Sequence, residues 1–492
     1  MATSLTATNL SAIGKSVAIP RYGASDLSPG VLHFGVGNFH RAHQATYLDA
    51  LFNAGTGHDW AIIGAGVRPE DQRMRADLER QDWLTTIVEQ DNASTKAHVV
   101  SSMISFLPVG DGAAIIAQLA DPAIRIVSLT VTEGGYFVDA ATGLFDAGHN
   151  EIIADGANPD APKTVFGLIL AGLKARRAKG LIPFTVMSCD NLPHNGHVTR
   201  NAVVGLARLS DSDLAEWVEA HIAFPNSMVD RITPATGDRE RQILVDQFGI
   251  ADRRPVFCEN FTQWVLEDNF PAGRPALEKV GVTFVDDVSP WELMKIRILN
   301  GGHAVIAYPA GLLDIYFVHE AMEHPSIHAF LEKLEHDEII PAVPPVPGTD
   351  LGDYYRLIER RFANPKIGDT VRRLCLDGSN RQPKFILPTV RHRLAAGQPI
   401  IGLALVSAFW CRYCAGTTES GQAIAPNDPA WDRLQPIARA AKTDPTAWLA
   451  MGDIFGTLAK EEAYASAFAK ALAMIWREGT QVALQAYLAE QF

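Results

Sequence analysis

The segment GVLHFGVG (residues 30–37) decides the fold of the first half of the chain. It is a short β-rich run that ends in Gly35-x-Gly37, and a helix-like stretch follows it. A dinucleotide-binding fold needs glycines here, because one makes a tight turn and the next lets the backbone approach a pyrophosphate. The third glycine of the usual fingerprint is missing, and Asn38 and Phe39 stand in that stretch. We therefore expect these four residues to form a dinucleotide site; the alternative is a plain strand–helix turn.

Strand-like and helix-like runs alternate through the rest of this half. The strand-like runs occupy residues 30–37, 59–67, 98–106, 124–132 and 183–190, and the helix-like runs occupy residues 40–53, 112–120 and 164–180. Such alternation is typical of parallel βαβ units and a doubly wound sheet. After about residue 286 helical periodicity dominates, in residues 290–313, 325–338, 352–363, 400–415 and 460–490. We expect an α/β Rossmann-type domain over residues 1–286, an all-α domain over residues 287–492 and a ligand site in the cleft between them.

Acidic residues follow the second strand-like run, where a nicotinamide cofactor needs an acceptor for its adenosine ribose hydroxyls. Glu70 and Asp71 stand at that position. Their carboxylates would repel the 2′-phosphate of NADP, so the pattern favours NAD, although Arg68 beside them could accommodate that phosphate. The alternative is that the two acids are only the solvated start of a helix.

Polar residues also end two later strand-like runs, at the edge of an open α/β sheet that faces a ligand. Thr132 and Glu133 close one run, and we expect them to contact the cofactor. Asn191 follows another run, within SCDNLPHNG (188–196). Because Pro193 comes two residues later, Asn191 cannot easily continue a helix, and its amide is expected to be held in a turn.

Composition limits the kind of partner. The 492 residues carry a formal net charge of −13, which argues against a general nucleic-acid binder because phosphate binding needs a basic surface. No apolar run reaches the ~18 residues that suggest a membrane span, and the N-terminal stretch lacks the apolar core of a secretory signal. Five scattered cysteines suit a reducing compartment, and the lone CxxC at residues 411–414 has no companion pair for a zinc site. We therefore expect a cytoplasmic protein without a metal site.

The segment KIRILNGGHAVIA (residues 295–307) carries polar residues in an otherwise apolar helix. At about 100° per residue, with Lys295 at zero, His303 lies at about 80° and Asn300 at about 140°, so they share one face. Burial favours a neutral lysine that acts as a base, and a neutral amide donates to an alkoxide-like oxygen. Each residue alone has an ordinary alternative: a lysine that reaches solvent, a packed core histidine, or an asparagine at a helix end. The two glycines between them are expected to leave room for substrate or the facing domain.

Four motifs resemble those of the polyol-specific long-chain dehydrogenases/reductases. They are HFGVGNFHRAH (33–43), SCDNLPHNG (188–196), FPNSMVDRITP (224–234) and KxxxxNGGH (295–303). The resemblance runs from about residue 30 to 480, and four motifs in order are far more specific than any single one. It implies a Rossmann-type domain, a helical domain, a monomer, and zinc-independent interconversion of a polyol and a ketose with NAD or NADP.

The resemblance also implies roles for individual residues. The expected roles are general base for Lys295, binding of the reacting oxygen for Asn191 and Asn300, substrate positioning for His303, contacts to distant hydroxyls for Asp230 and Arg373, and gating of a proton path for Glu292. Arg381 is a departure, because the family has a lysine on the substrate side at this place. Arginine is bulkier and forked, so the contact to the far end of the polyol is expected to change. Lys384 is a further candidate for substrate binding.

Several functions fit this set of residues. Oxidation of D-mannitol to D-fructose is the first choice, before sorbitol or arabitol. A hexuronate reductase acting on fructuronate or tagaturonate is the rival within the family, since Arg373, Arg381 and Lys384 could hold a carboxylate. A non-catalytic sugar or dinucleotide sensor predicts a damaged catalytic set, whereas Lys295 and both asparagines are present. An isomerase or epimerase would be expected to show clustered metal ligands or a second acid–base group, and the sequence shows no convincing cluster of metal ligands.

Overall fold

A computed structural model describes residues 2–139 and 142–492 of the chain. The chain forms two compact units, Met1–Val288 and Ser289–Phe492. Among the described residues, no helix is both long enough and apolar enough to cross a membrane.

A five-stranded parallel sheet organises the first unit. Its strands are β1 (Pro29–Phe34), β2 (Ala61–Ala65), β3 (Met103–Phe106), β4 (Ile126–Leu129) and β5 (Thr185–Ser188). Their spatial order is β3-β2-β1-β4-β5, and every pairing is parallel. The order reverses at β1, and open α/β sheets bind ligands beyond the carboxyl ends of the strands at such a reversal. The prediction of a Rossmann-type first half is confirmed.

Helices cover both faces of this sheet. The α-helices in the described part of the first unit are Asn38–Ala42, Gln44–Asn53, Pro69–Glu79, Gly112–Leu119, Asn150–Ala157, Val165–Ala178, Asn195–Ser210, Ser212–His221 and Asp238–Phe248, of which the last packs in a separate core. Alternate residues of a strand point to opposite faces, so Leu32 of β1 enters one hydrophobic core and Val31 enters the other. Local signals start the helices: Asp111, for example, accepts a hydrogen bond from the N–H of Ala114 at 2.9 Å and caps its helix.

Three further sheets complete the first unit, and the sequence does not predict them. They contain the strands Val17–Ala18, Thr85–Gln90, Thr95–Val100 and Val256–Glu259; Ser227–Asp230, Gln263–Glu267 and Thr283–Val285; and Thr3–Ser4 with Ile250–Ala251. The single strand predicted over residues 98–106 is wrong, because that run ends one strand of the four-stranded sheet and then supplies β3. The helix predicted over residues 40–53 is two helices, since His43 leaves the helical region with φ −121° and ψ −90°.

The second unit is built from helices, as predicted. The α-helices are Ser289–Met294, Gly301–Leu312, Val318–Glu323, Pro325–Leu334, Leu351–Phe362, Val371–Leu374, Gly378–Phe385, Leu387–Ala395, Ile401–Cys414, Trp431–Ala440, Thr446–Leu449, Gly452–Phe455, Glu462–Glu478 and Thr480–Leu488. Helix Ile401–Cys414 forms the centre of the unit, because all its residues from Gly402 onward are buried, and it packs against Glu462–Glu478. Two further segments, Lys295–Asn300 and Glu335–Ile339, are π-helical.

Candidate active site

The glycine turn after β1 has the geometry that a dinucleotide site needs. Gly35 has φ +93°, and a Cβ there would lie 2.1 Å from the carbonyl oxygen of Thr130, so only glycine fits. A Cβ on Gly37 would find its nearest neighbour at 3.9 Å, the carbonyl oxygen of Gly35. The first glycine therefore closes the turn against β4, and the second leaves the outer side of the backbone bare. The residues of the turn fit a bound pyrophosphate.

A cluster of buried polar side chains contacts the glycine turn, and the sequence analysis did not predict it. Nε2 of His33 lies 3.1 Å from the carbonyl oxygen of Gly35 and 3.0 Å from Oγ1 of Thr130. The ring of His40 stacks on that of His33 with centroids 3.4 Å apart. Burial lowers the pKa of His33 to about 3 and that of His40 well below its ordinary value, so both rings are neutral. The only signal in the sequence is a histidine inside an apolar strand.

Asn38 and Phe39, both expected to contact a cofactor, make contacts within the first unit. Nδ2 of Asn38 donates to the carbonyl oxygen of Pro234 at 3.3 Å, and its Oδ1 accepts from Arg41 at 2.7 Å. The ring of Phe39 stacks on that of His43 with centroids 4.7 Å apart. The side chain of Asn38 therefore braces the turn, which leaves its backbone N–H as the group available to a phosphate.

The residues after β2 separate into one capping acid and one exposed acid. Oδ2 of Asp71 accepts a hydrogen bond from the backbone N–H of Arg68 at 3.0 Å and so caps helix Pro69–Glu79. Glu70 and the side chain of Arg68 are exposed. Of the two predicted acids, Glu70 is the one whose carboxylate remains available to a ribose.

An arginine-rich cavity of about 470 Å³ opens beside the same helix, and the sequence analysis missed it as well. Its lining residues are Arg73, Asp77, Thr236, Asp238, Arg241, Arg253 and Arg254. Two of the arginines form ion pairs, Arg254 with Asp77 at 2.8 Å and Arg241 with Asp238 at 2.5 Å. Because its residues come from three distant segments, no local pattern in the sequence indicates this cavity.

The loop after β4 is held in an unusual backbone conformation. Thr132 has φ +66°, which residues other than glycine rarely adopt. The carboxylate of Asp190 fixes this loop: it accepts hydrogen bonds from the N–H of Val131 at 2.8 Å, the N–H of Thr132 at 3.0 Å and the hydroxyl of Tyr136 at 2.6 Å. The side chain of Glu133 lies outside the part of the chain that the structure describes.

Two residues of the first unit, Asn191 and Asp230, are predicted to contact substrate, and each stands at the end of a strand. A buried asparagine links these two strand ends. Asn191 comes directly after the loop-binding Asp190 and has an exposed side chain. Asn195 donates from Nδ2 to the carbonyl oxygens of Asp190 at 3.0 Å and Ser227 at 2.8 Å, and so joins the end of β5 to strand Ser227–Asp230. Asp230, the last residue of that strand, is only 5% exposed.

The segment that carries Lys295 and Asn300 is a π-helix, not the α-helix assumed from its apolar pattern. Hydrogen bonds from i to i+5 turn the chain less per residue than those of an α-helix, so the expected angles of about 80° and 140° are wrong. Single π-helical turns inside α-helices occur often at functional sites. Lys295 is 7% exposed and Asn300 is 9% exposed. Glu292, in helix Ser289–Met294, is 5% exposed and lies just before this turn.

The glycine pair after Asn300 makes room for the second unit itself. A Cβ on Gly302 would lie 3.1 Å from Oε1 of Glu335 and 3.4 Å from Cε2 of Phe362. A Cβ on Gly301 would lie 3.6 Å from the carbonyl oxygen of Phe385, at ordinary contact distance. The expectation that both glycines leave room for substrate or the facing domain is wrong for Gly302, because a buried carboxyl and a ring of the second unit occupy that space.

His303 is a neutral imidazole in a cationic environment. Its ring stacks on that of Phe362 with centroids 4.2 Å apart. Burial lowers its pKa well below the ordinary value, and the charges of Arg373, Arg361 and Arg381 lower it further. Its Nε2 has no hydrogen-bond partner among the described residues. Two of the three predicted substrate-binding cations, Arg373 and Arg381, therefore lie in the electrostatic neighbourhood of His303.

The three predicted substrate-binding cations differ in what holds them. Arg373 forms an ion pair with Asp369. Nη1 of Arg381 donates to the carbonyl oxygens of Arg373 at 3.2 Å and Leu374 at 3.1 Å, at the end of helix Val371–Leu374. Lys384 is exposed. One half of the Arg381 guanidinium is therefore committed to the backbone that carries Arg373, a role that the motif alone does not indicate.

The described residues contain neither a cluster of metal ligands nor a disulfide. No group of three or more His, Cys, Asp or Glu side chains there is arranged to hold a metal ion. The five cysteines are free and buried. The second unit supplies a buried lysine, a buried amide, a neutral imidazole and arginines as candidate site groups.

Family comparisons cover both units of the chain. Residues 29–279 match the Rossmann domain of mannitol dehydrogenase, and residues 287–476 match its C-terminal domain. A mannitol 2-dehydrogenase of Cereibacter sphaeroides is 62% identical over 476 residues, which are 96% of this chain and 99% of that protein. The mannitol 2-dehydrogenase of Neosartorya fischeri is 41% identical over 98% of this chain and 99% of that protein.

Two solved structures share the whole fold. One is the Pseudomonas fluorescens mannitol 2-dehydrogenase ternary complex with NAD and D-mannitol, at a TM-score of 0.90 and 44% identity over 99% of this chain and 100% of that one. The other is a D-sorbitol dehydrogenase in substrate-free form, at a TM-score of 0.90 and 34% identity over 98% of this chain and 100% of that one.

Proposed function

The chain belongs to the mannitol dehydrogenase family, and on that premise we propose that it catalyses the NAD-dependent oxidation of D-mannitol to D-fructose and the reverse reduction. The observation that carries the proposal is the likeness, along 99% of the chain, to a family member in complex with NAD and D-mannitol. Enzymes of this family are oxidoreductases that act on a polyol, and the glycine turn after β1 suits a dinucleotide cofactor.

We infer that the first unit is the dinucleotide domain and that the second carries the catalytic lysine. Bound NAD supplies the acceptor for the hydride that leaves the substrate carbon. The backbone N–H groups that follow Gly37 are proposed to bind its pyrophosphate, and the exposed carboxylate of Glu70 is proposed to accept from its ribose hydroxyls. Thr132, in the loop that Asp190 holds, is proposed to contact the cofactor on the other side of the reversal in strand order.

Lys295 is proposed to be the general base. The substrate hydroxyl must lose its proton as the hydride leaves, and only a neutral amine takes that proton. At 7% exposure Lys295 is largely withdrawn from water, which favours the neutral form of an amine. Glu292, buried just before it, is proposed to pass the proton onward.

Asn191 and Asn300 are proposed to stabilise the alkoxide-like oxygen. Both amides donate hydrogen bonds without carrying a net charge, so they can bind the developing anion. A cation in their place would make Lys295 less basic. The neutral ring of His303, held against Phe362, is proposed to orient the substrate by a hydrogen bond from or to its Nε2.

Asp230, Arg373 and Arg381 are proposed to contact the hydroxyls farther from the reacting carbon. Asp230 is buried and accepts only, whereas the arginines donate only. Since one half of Arg381 is bound to carbonyl oxygens, the substrate is left its Nε and Nη2. Lys384, which is exposed, is proposed as a contact at the outer end. The arginines near His303 also suit a carboxylate, which keeps hexuronate reduction as the second candidate.

The cysteines and the family resemblance bear on the cellular location and on the oligomeric state. We propose a cytoplasmic location, supported by five free cysteines that a reducing compartment maintains. A monomer is proposed on the family resemblance alone. Size-exclusion chromatography with light scattering tests it, because a dimer doubles the chain mass of 53.4 kDa.

A substrate panel tests the proposed function. D-Mannitol, D-sorbitol and D-arabitol are offered with NAD and with NADP, and D-fructose, fructuronate and tagaturonate with NADH, each followed by the absorbance of reduced nicotinamide. We expect the highest kcat/KM for D-mannitol with NAD, and a Lys295→Met variant serves as the inactive control. Turnover of fructuronate without turnover of fructose would assign hexuronate reduction instead. NADH binding without turnover of any substrate would indicate a sensor.

A further inference from the structure

His33 has no part in the reaction proposed above, yet it is a fully buried polar residue beside the cofactor turn. It lies in β1, two residues before Gly35, and its side chain is 0% exposed. A buried polar ring destabilises a fold unless hydrogen bonds satisfy it. The partners of its two nitrogens therefore indicate why the chain keeps a histidine in the middle of an apolar strand.

Both ring nitrogens of His33 have close partners. Nδ1 lies 2.8 Å from Oγ of Ser128 in β4. Nε2 lies 3.1 Å from the carbonyl oxygen of Gly35. The same carbonyl oxygen accepts from the N–H of Gly37 at 2.7 Å and from Oγ1 of Thr130 at 2.6 Å. Donors from two strands and from the turn itself thus converge on one peptide oxygen.

These contacts select one tautomer of His33. A carbonyl oxygen only accepts hydrogen bonds, so Nε2 carries the proton and donates to Gly35. Nδ1 then accepts from the hydroxyl of Ser128. Oγ of Ser128 also donates to Oε1 of Gln44 at 3.0 Å. A half rotation of that amide exchanges its oxygen and nitrogen, which frees the Ser128 hydrogen for Nδ1 of His33. With the Gln44 nitrogen toward Ser128, a continuous series of hydrogen bonds runs from Gln44 through Ser128 and His33 to the carbonyl of Gly35.

The neighbouring ring keeps this arrangement free of charge. His40 stacks on His33 at 3.4 Å, and burial, followed by the charges of His33 and Arg41, lowers the pKa of His40. Burial also lowers the pKa of His33 to about 3. The pair therefore supplies a directed N–H to the turn without a positive charge across the range in which the enzyme is assayed.

We propose that His33 is a positioning residue for the dinucleotide: its Nε2–H holds the carbonyl of Gly35, which fixes the direction of the N–H groups that follow Gly37. This inference deepens the proposed NAD site and rests on it. A rotated peptide at Gly35 would turn those N–H groups away from the pyrophosphate, since the turn transmits the rotation to the next peptide planes. His33 touches no substrate, so its effect falls on cofactor affinity.

Three variants separate the donor from the volume of the ring. In His33→Gln the amide nitrogen takes the place of Nε2–H, whereas His33→Asn and His33→Leu provide no donor at that point. NADH affinity is measured by fluorescence titration without substrate. We expect His33→Gln to bind within about threefold of the native enzyme and the other two to bind about tenfold more weakly, as loss of one neutral hydrogen bond permits. With both substrates saturating, kcat stays near the native value.

The controls distinguish this proposal from a general effect on folding. His98→Gln, in strand Thr95–Val100, changes a partly buried histidine of another sheet and is expected to leave NADH affinity unchanged. NADH affinities of His33→Asn and His33→Leu equal to the native value would overturn the proposal. So would a His33→Gln variant as weak as His33→Leu. Absence of NADH binding by the native enzyme would refute the proposed function itself.

Discussion

The side chain of Glu335 occupies the space that the missing side chain of Gly302 leaves. A Cβ on Gly302 would lie 3.1 Å from Oε1 of Glu335, whose side chain is 0% exposed. Neither carboxyl oxygen of Glu335 has a hydrogen-bond partner among the described residues. Burial raises the pKa of Glu335 well above its ordinary value, so the helix that follows the π-turn packs on a neutral acid.

Glu335→Gln is expected to stabilise the protein increasingly as pH rises. The unfolded chain ionises Glu335 at about 4.3, whereas the folded chain keeps it protonated, so native stability falls as pH rises above that value. Between that value and the raised pKa of Glu335 in the folded chain, this group lowers the stability of the native enzyme as pH rises, and the glutamine variant lacks that contribution. Denaturant unfolding at pH 5 and pH 7 measures the difference.

Glu338→Gln is the matched control for that experiment. Glu338 lies on the same π-helical segment, but its carboxylate accepts the N–H groups of Gly402 at 2.7 Å and Leu403 at 3.0 Å. Its replacement by an amide that accepts with one atom only is expected to destabilise the unit. An equal gain in stability from both variants would contradict the assignment of Glu335 as an unsatisfied neutral acid.

Lys295→Ala is expected to lower kcat for polyol oxidation by about two to four orders of magnitude, the range for loss of a general base. Affinity for NADH stays near the native value, because the proposed cofactor contacts all belong to the first unit. Steady-state kinetics and fluorescence titration check the two halves of this expectation. A variant with near-native kcat would remove Lys295 from the mechanism.

Asn300→Ala is expected to lower kcat by about 10²- to 10³-fold, the effect of removing one donor to a developing oxyanion. Because the oxygen is charged only late in the reaction, KM for D-mannitol changes much less than kcat. Asn191→Ala is expected to behave alike, which a comparison of both variants at saturating NAD checks. A change confined to KM would place the amide at a non-reacting hydroxyl instead.

Gly35→Ala and Gly37→Ala are expected to lose different properties of the protein. The methyl group at 35 would meet the carbonyl oxygen of Thr130 at 2.1 Å, so the variant loses stability and NADH binding together. The methyl group at 37 has its nearest neighbour at 3.9 Å, so that variant folds normally and loses only NADH affinity. Thermal unfolding without cofactor, compared with fluorescence titration, separates the two. Native NADH affinity in Gly37→Ala would argue against close approach of a pyrophosphate.

Glu70→Ser is expected to shift cofactor preference toward NADP. Its carboxylate repels a 2′-phosphate, and Arg68 together with the exposed Arg73 offers positive charge nearby. The ratio of kcat/KM for NADP to that for NAD is expected to rise at least about tenfold, since removal of a close like charge changes binding by about 1.4 kcal/mol or more. An Asp71→Ser variant, which removes a helix cap instead, should lower stability without that shift.

The central sheet and the helical second unit could be predicted because their signals are local and strong. Strands buried on both faces, such as β1 and β4, read as apolar runs, and the glycine turn follows the first of them directly. The strand Gln263–Glu267 could not be predicted, because its polar ends hide a short buried stretch and its partners lie far away in sequence.

The residues proposed for the candidate site could be named from the sequence, but the local backbone structure that carries them could not. Spacing identified Lys295, Asn300 and His303, yet an apolar pattern cannot distinguish an α-helix from a π-turn that continues one. The carbonyl contacts of Arg381 also depend on where helix Val371–Leu374 ends. Such features arise from packing, which the order of residues alone does not encode in any local pattern.

The π-turn at Lys295–Asn300 makes the proposed active site depend on the number of residues in this segment as well as on their chemistry. A π-turn accommodates one more residue between bonded groups than an α-turn does. Deletion of a single residue within it would restore regular α-helix and remove the wider turn from this segment. The widened backbone that carries Lys295 and Asn300 would then be lost, although every side chain proposed for catalysis were still present. We therefore expect the proposed site to tolerate substitutions in this segment better than insertions or deletions.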